Sequence, residues 1–202
     1  MNSVSDEYFS IEAPVEGLYK EQKSRFIALA YPVESEEQVK ELLEKARRDY
    51  HDARHHCLAY RIGHDGARYR ASDDGEPAGS AGRPILGQID SAGLSDVAII
   101  VVRYFGGIKL GVPGLIGAYK AASLDAIDKA VRVSKIAGHW YRLSFGYSSL
   151  PDVMKLVKDM ELPQRKQLFD MECSLECRVR LSLEQDFLDR SKNIPNFKYE
   201  II

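Results

Sequence analysis

Twelve of the fifteen glycines in this 202-residue chain lie between Gly63 and Gly117. Only Gly17, Gly138 and Gly146 fall outside that stretch. Glycine loses more conformational entropy on folding than any other residue, so such clustering marks backbone geometry that side chains forbid. The middle of the chain must therefore be built from tight turns and close backbone approaches, with its chemistry carried on the loops between them.

Composition bounds what surrounds that stretch. Apolar residues make up 45% of the chain and charged residues 29%, the balance of a globular protein. Twenty-eight Lys and Arg against thirty Asp and Glu give a formal charge of -2, which excludes a uniformly basic nucleic-acid binder. The longest purely apolar run, Val97–Val102, is far too short to span a bilayer. The N-terminus lacks a basic-then-apolar leader pattern, and no membrane partner is expected. Three cysteines, Cys57, Cys173 and Cys177, are an odd number without a secretory signal, which points to thiols in a reducing cytoplasm.

The hydrophobic periods divide the chain into an α+β fold of two domains. Residues 1–137 form the first and 138–202 the second, because a long helical pattern stops and an alternating pattern starts near Ala137-Gly138. In the first domain Lys23–Val33 reads as a strand. Ser35 is a helix N-cap, followed by Glu36 and Glu37 at the positive helix start and an apolar stripe of Val39, Leu42, Leu43 and Ala46. Arg54–Ile62 and Ala67–Ser72 are strands around a Gly63–Gly66 turn, Pro84–Ser91 is a short helix, and Val97–Val102 is a strand covered on both faces. A glycine-rich loop, Gly106–Gly114, leads into a helix expected from Pro113 to Val133. The second domain reads β-α-β-β-α-β, the ferredoxin-like order, with strands Trp140–Phe145, Arg165–Phe169, Leu175–Leu181 and Phe197–Ile201 and helices Ser149–Met160 and Leu183–Ser191.

Three segments carry candidate chemistry. Ala53–Arg61 contains His55, His56 and Cys57, but strand neighbours point to opposite faces and no second Cys/His pair lies at metal spacing. A buried Cys beside hydrogen-bonded histidines is the expected arrangement, and no metal or cofactor is expected. Ser72–Pro84 places Asp73, Asp74 and Glu76 on a glycine-flanked loop that ends in Arg83. These acids suit a hard cation or arginine partners, with Gly79–Gly82 offering backbone donors, while Asp and Gly equally suit a plain turn. Arg103–Gly114 follows the buried strand and opens a helix, where free N–H groups and the dipole favour an anion. From Val97 through Leu124 there is no acid, against Arg103, Lys109 and Lys120. At 100° per residue Lys120 and Ser123 fall with Ile116, Ile127 and Val131 on the stripe expected to face inward. Glycines that serve only close packing, with a snorkelling Lys120, are the alternative.

These segments, Ala-Arg-His-His-Cys-Leu-Ala-Tyr-Arg, Asp-Asp-Gly-Glu-Pro-Ala-Gly-Ser-Ala-Gly-Arg-Pro-Ile-Leu and Arg-Tyr-Phe-Gly-Gly-Ile-Lys-Leu-Gly, resemble the signature of the YigZ/IMPACT family over residues 15–130. The resemblance implies an N-terminal domain like the second domain of a small-subunit ribosomal protein, a β-sheet with helices on one face. It also implies a ferredoxin-like C-terminal domain like one in elongation factor G, and a link to regulation of translation. The chain departs from the family after Gly111, where Gly117 stands in place of an arginine common in relatives.

Two functions follow as expectations. The first is a non-catalytic binder of structured RNA or a ribosome-associated factor, with Arg83, Arg103, Tyr104, Gly106, Gly107, Lys109 and Lys120 on the anion, supported by His55, Arg61 and Arg54. Tyr60, Tyr69 and Tyr104 are then available for stacking. The alternative is an enzyme that binds a small molecule or nucleotide phosphate and uses Asp73, Asp74 and Glu76 as metal ligands or general base.

Overall fold

The computed structural model describes residues 6–202; residues 1–5, part of the stretch read for a leader, lie outside them. It is a mixed α/β protein in two compact units, Tyr8–Lys135 and Ile136–Ile202, with Asp6 and Glu7 joining the latter. No helix among the described residues is long and apolar enough to cross a membrane.

The first unit is organised by an antiparallel sheet in the order β2-β3-β6-β4-β5. Its strands are β2 (Val15–Glu21), β3 (Ser24–Pro32), β4 (His55–Ile62), β5 (Arg68–Ser72) and β6 (Val97–Tyr104). The apolar run of β6 occupies the centre, and every residue from Val97 to Val102 is fully buried. Helix α1 (Glu36–Asp49) starts at Ser35, whose side chain accepts from the Gln38 N–H, and it buries Val39 and Ala46. Helices α2 (Gly82–Ser91) and α3 (Gly111–Lys129) complete the unit. A two-stranded ladder pairs β1 (Glu7–Ile11) with β7 (Arg132–Ile136).

Helices cover both faces of this sheet, which corrects the expectation of helices on one face. Ile85 and Ile89 of α2 and Tyr119 and Ala122 of α3 pack on Phe26, Ala59 and Val101. The alternate residues, Ile27, Leu58, Ile100 and Val102, form a second core with Val39 and Ala46 of α1. Period-2 alternation sends neighbours to opposite faces, so a strand apolar at every position needs both of them covered.

Helix α3 is rotated relative to the expected stripe and ends at Lys129 rather than Val133, where Ala130 turns extended and leads into β7. Leu115, Ala118, Tyr119, Ala122 and Ala126 face inward, while Lys120 is exposed. The small residues are there for close approach. A Cβ on Gly17 of β2 would lie 2.4 Å from the backbone nitrogen of Ala126, so strand and helix touch main chain to main chain. Because β2's inward position is a glycine, no apolar alternation announces the strand.

Asp73 closes the loop between β5 and α2. Its carboxylate accepts from the backbone N–H groups of Gly79 at 2.7 Å, Ala81 at 3.0 Å and Gly82 at 2.8 Å. Donors at the start of α2 that would otherwise be orphaned are thereby satisfied. Gly82 is obligatory there, since a Cβ would lie 2.5 Å from the nitrogen of Ser72.

The second unit orders its strands β11-β8-β10-β9, all antiparallel. These are β8 (Gly138–Gly146), β9 (Gln164–Leu168), β10 (Glu172–Arg180) and β11 (Lys198–Ile201). Alternate residues Tyr141, Leu143, Phe145, Leu175, Cys177 and Val179 bury against α4 (Leu150–Asp159) and against Phe187 of α5 (Glu184–Ser191).

Three stability predictions follow from these contacts. Gly106→Ala places a Cβ 2.1 Å from the carbonyl carbon of Lys23 and should cost about 1–3 kcal/mol or more. Gly117→Ala meets nothing within 4 Å in a helix interior and should stabilise by about 0.5–1 kcal/mol; urea midpoints of the two variants should move in opposite directions. Burial opposes the Asp73 charge, but the backbone donors at Gly79, Gly82 and Ala81 outweigh it and hold the carboxyl below its ordinary range. A depressed folded value stabilises above the ordinary carboxylate pKa of about 3.9 and is lost as pH falls through the folded value. Asp73→Asn should therefore lower stability by about 2–3 kcal/mol at neutral pH and flatten the loss seen on acidification from pH 5 to pH 3.

Candidate functional site

A cleft of about 750 Å³ opens between the loop after β5, the end of β6 and the start of α3. Its lining includes Arg54, His55, Glu76, Arg103, Tyr104, Phe105 and Lys109, together with Leu110, Gly111 and Val112. The acidic loop and the glycine-rich loop, 27 residues apart at Glu76 and Arg103, thus meet in space.

Arg103 is the buried element of this wall. It is 7% exposed, and its Nη1 donates to Glu76 Oε1 at 2.7 Å. Its Nε is buried without a partner. The guanidinium carbon lies 5.5 Å from the centroid of Phe26 and 5.6 Å from that of Phe105. Glu76 Oε1 also accepts from the Tyr119 hydroxyl at 2.8 Å, and that hydroxyl is 3.3 Å from Cys57 Sγ. A polar chain thus runs from the cleft into the core through Arg103, Glu76, Tyr119 and Cys57.

The other acids of the loop go elsewhere. Asp73 is spent on the backbone of its own loop. Asp74 accepts from Arg47 Nη2 at 3.1 Å and from the backbone N–H of His56 at 2.7 Å. The three carboxylates therefore do not converge, and among the described residues no cluster of three or more His, Cys, Asp or Glu is placed to hold a metal. The backbone donors of Gly79–Gly82, expected to be open to a ligand, are largely taken by Asp73.

The thiol and the imidazoles are structural neighbours of this site. Burial pushes Cys57 up to about 12, which leaves it a protonated, unreactive thiol near neutral pH. His55 Nδ1 lies 2.9 Å from the carbonyl oxygen of Asp74. His56 is buried, with Nε2 unpartnered, and burial lowers its pKa.

Of the residues expected on an anion, Arg103, Tyr104 and Lys109 line the cleft, as do His55 and Arg54. Arg54 and Lys109 are exposed, and neither makes an ion pair among the described residues. The first turn of α3 has no side-chain cap and opens on the same space at Gly111 and Val112. Tyr104 donates to Asp52 Oδ1 at 2.7 Å and carries Arg25 over its ring at 4.8 Å.

The remaining residues lie elsewhere. Gly106 packs against Lys23 and donates its N–H to the Ser24 hydroxyl at 3.1 Å, so it serves packing. Gly107 sits in exposed loop at φ +88°. Arg83 and Lys120 are exposed and are not in the cleft lining. Arg61 pairs with Asp90 at 2.7 Å and lies over Tyr69 at the other end of β4. Tyr60 is 4% exposed and buried against α1, so it offers no face for stacking. Sequence reasoning missed Tyr119, because an aromatic on a helix reads as core, and named Phe105 only as part of the Arg103–Gly114 motif, without a role.

Comparison with known proteins identifies relatives of this chain. A family model described as the Impact N-terminal domain matches residues 22–127, which span both loops of the cleft. The chain is 37% identical over 147 residues to the IMPACT family member YigZ of Escherichia coli, covering 72% of each protein. It is 44% identical over 124 residues to an IMPACT family member of Thermus thermophilus, covering 61% of this chain and 65% of that one. A crystal structure of a hypothetical protein, 30% identical, superposes over 97% of both chains with a TM-score of 0.71. On the family model and the YigZ match together, this chain belongs to the IMPACT family.

Proposed function

We propose that this protein is a non-catalytic RNA-binding protein linked to regulation of translation in the cytoplasm, and that the cleft takes the phosphate backbone of structured or ribosome-associated RNA. The observation that carries this reading is the buried Arg103, with an unpaired Nε, in a cleft wall shared with two exposed cations, Lys109 and Arg54, that make no ion pair among the described residues. An uncapped helix start and the exposed ring of Phe105 add an anion-favouring dipole and a stacking surface. Within the same reading the second unit is a ferredoxin-like domain similar to one in elongation factor G, supported by its β11-β8-β10-β9 order. The first unit is a relative of the second domain of a small-subunit ribosomal protein. The expected basic patch contracts to the cleft's own cations, because Arg61, Arg83 and Lys120 lie elsewhere.

The cleft volume also falls in the range of small-molecule sites. A nucleotide phosphate is therefore the second reading, tested by thermal melting with nucleotides and magnesium. A shift with nucleotide that Lys109→Ala removes would favour it over RNA.

For the RNA reading, Lys109→Ala and Arg54→Ala should each weaken binding of the full chain to ribosomal RNA fragments and lower the salt slope by about 1. Unchanged affinity and slope in both variants would reject it. Arg103→Ala is unsuitable for that test, since it strands Glu76 as a buried charge and should cost about 3–5 kcal/mol. Adding Glu76→Gln should restore part of the loss, and a double-mutant cycle by urea denaturation measures how much.

A further inference from the structure

The second unit carries a charged sheet face that the cleft does not involve. Residues of β8 and β10 opposite to the buried set, Trp140, Arg142, Glu176 and Arg178, share one side of the sheet by register. No helix of that unit covers this side, since α4 and α5 pack on the other.

At its centre is Glu176, 2% exposed, whose carboxylate accepts from Arg142 at 3.0 Å, Arg165 at 2.8 Å and Lys166 at 3.3 Å. A register shift in the pairing of β9 with β10 lets Arg165 and the next residue both reach this one acid. Lys166 takes φ +49° there, a conformation uncommon for a side-chain-bearing residue. The three cations keep side-chain exposures of 45%, 47% and 67%; Arg142 also pairs with Glu200 at 2.7 Å, so two carboxylates hold three cations and leave one positive charge uncompensated. Arg178, Arg180 and Lys198 extend the cationic field on the same side, against Glu172 and Glu200. Six cations against three acids sit on one sheet of a chain whose formal charge is -2.

The Arg165 guanidinium carbon lies over the Trp140 ring, 3.8 Å from its centroid. An arginine held over an indole is a stacking platform for a nucleobase, and Arg142 and Lys166, which share its carboxylate partner, stand beside it as cations for a phosphate. We propose that this face binds single-stranded RNA, with a base stacked on Arg165, phosphates on Arg142 and Lys166, and Glu176 as a positioning residue that holds the cations in register. Charge complementarity together with a planar platform favours a polynucleotide over an acidic protein, which would use the charges but leave the plane idle. The proposal is independent of the cleft.

Trp140 is the only tryptophan in the chain, so its fluorescence reports on this face alone. Titrating the full chain with oligouridine should change Trp140 emission with a saturating, salt-sensitive curve. Lys166→Glu, at the most exposed of the three cations, should weaken that binding about tenfold or more, as should Arg165→Ala combined with Lys166→Ala. Lys109→Ala, in the cleft, should leave the Trp140 response unchanged, which separates failure of this proposal from failure of the cleft reading. Three results would overturn the assignment: oligouridine binding by anisotropy with no Trp140 response, wild-type affinity in Lys166→Glu, or an equal response to polyglutamate.

Discussion

Arg103 and Glu76 keep 8% and 3% of their side-chain surface exposed, and their 2.7 Å contact joins the central strand, the acidic loop and, through Tyr119, the longest helix. Burying either charge alone costs several kcal/mol, and their attraction repays this only when geometry and further hydrogen bonds are good. The surroundings supply those conditions. Two aromatic rings stand near the guanidinium, and a tyrosine hydroxyl shares the carboxylate. The loop that presents Glu76 is in turn held by Asp73, so one acid shapes the backbone that delivers the next. In the Asp-Asp-Gly-Glu run the first carboxylate builds, the second ties β4 to α1, and only the last looks into the cleft.

Much of the fold was legible because it rests on local rules. Val97–Val102 read as a strand covered on both sides, and each of its residues is buried. Ser35 read as an N-cap, and its side chain accepts the Gln38 N–H. Elements went unread where the deciding contact is remote in sequence. Helix α3 buries alanines, which carry little hydrophobic signal, so Ile116 and Ile127 dominated the pattern and turned Lys120 inward on paper. Strand β2 hid because its key inward residue is Gly17.

The site was legible by type more than by role. Charge and glycine content marked both loops, and the structure brings them together around Arg103. What each residue does there depends on partners that spacing does not reveal. Gly79–Gly82 resemble a ligand's donors until Asp73 is seen to occupy them. Gly106 resembles a phosphate glycine until its neighbour proves to be Lys23. Arg61 and Arg83 are basic residues in the right motifs, pointed at the wrong places. Net charge was similarly uninformative about local fields, since a chain at -2 holds cationic ground in each of its two units.

The contact between Gly17 and Ala126 has a consequence for how this chain can vary. Most helix–sheet distances are set by side chains and can drift as large and small residues are exchanged across the gap. Here the obstacle to a larger residue is backbone, the nitrogen of Ala126 and the carbonyl oxygen of Ala122, so no exchange on the helix makes room for it. The spacing of β2 from α3 is therefore set in this chain by main chain on both sides. Sequence drift around it is free to repaint the surfaces of the unit, while the frame beneath them keeps its dimensions.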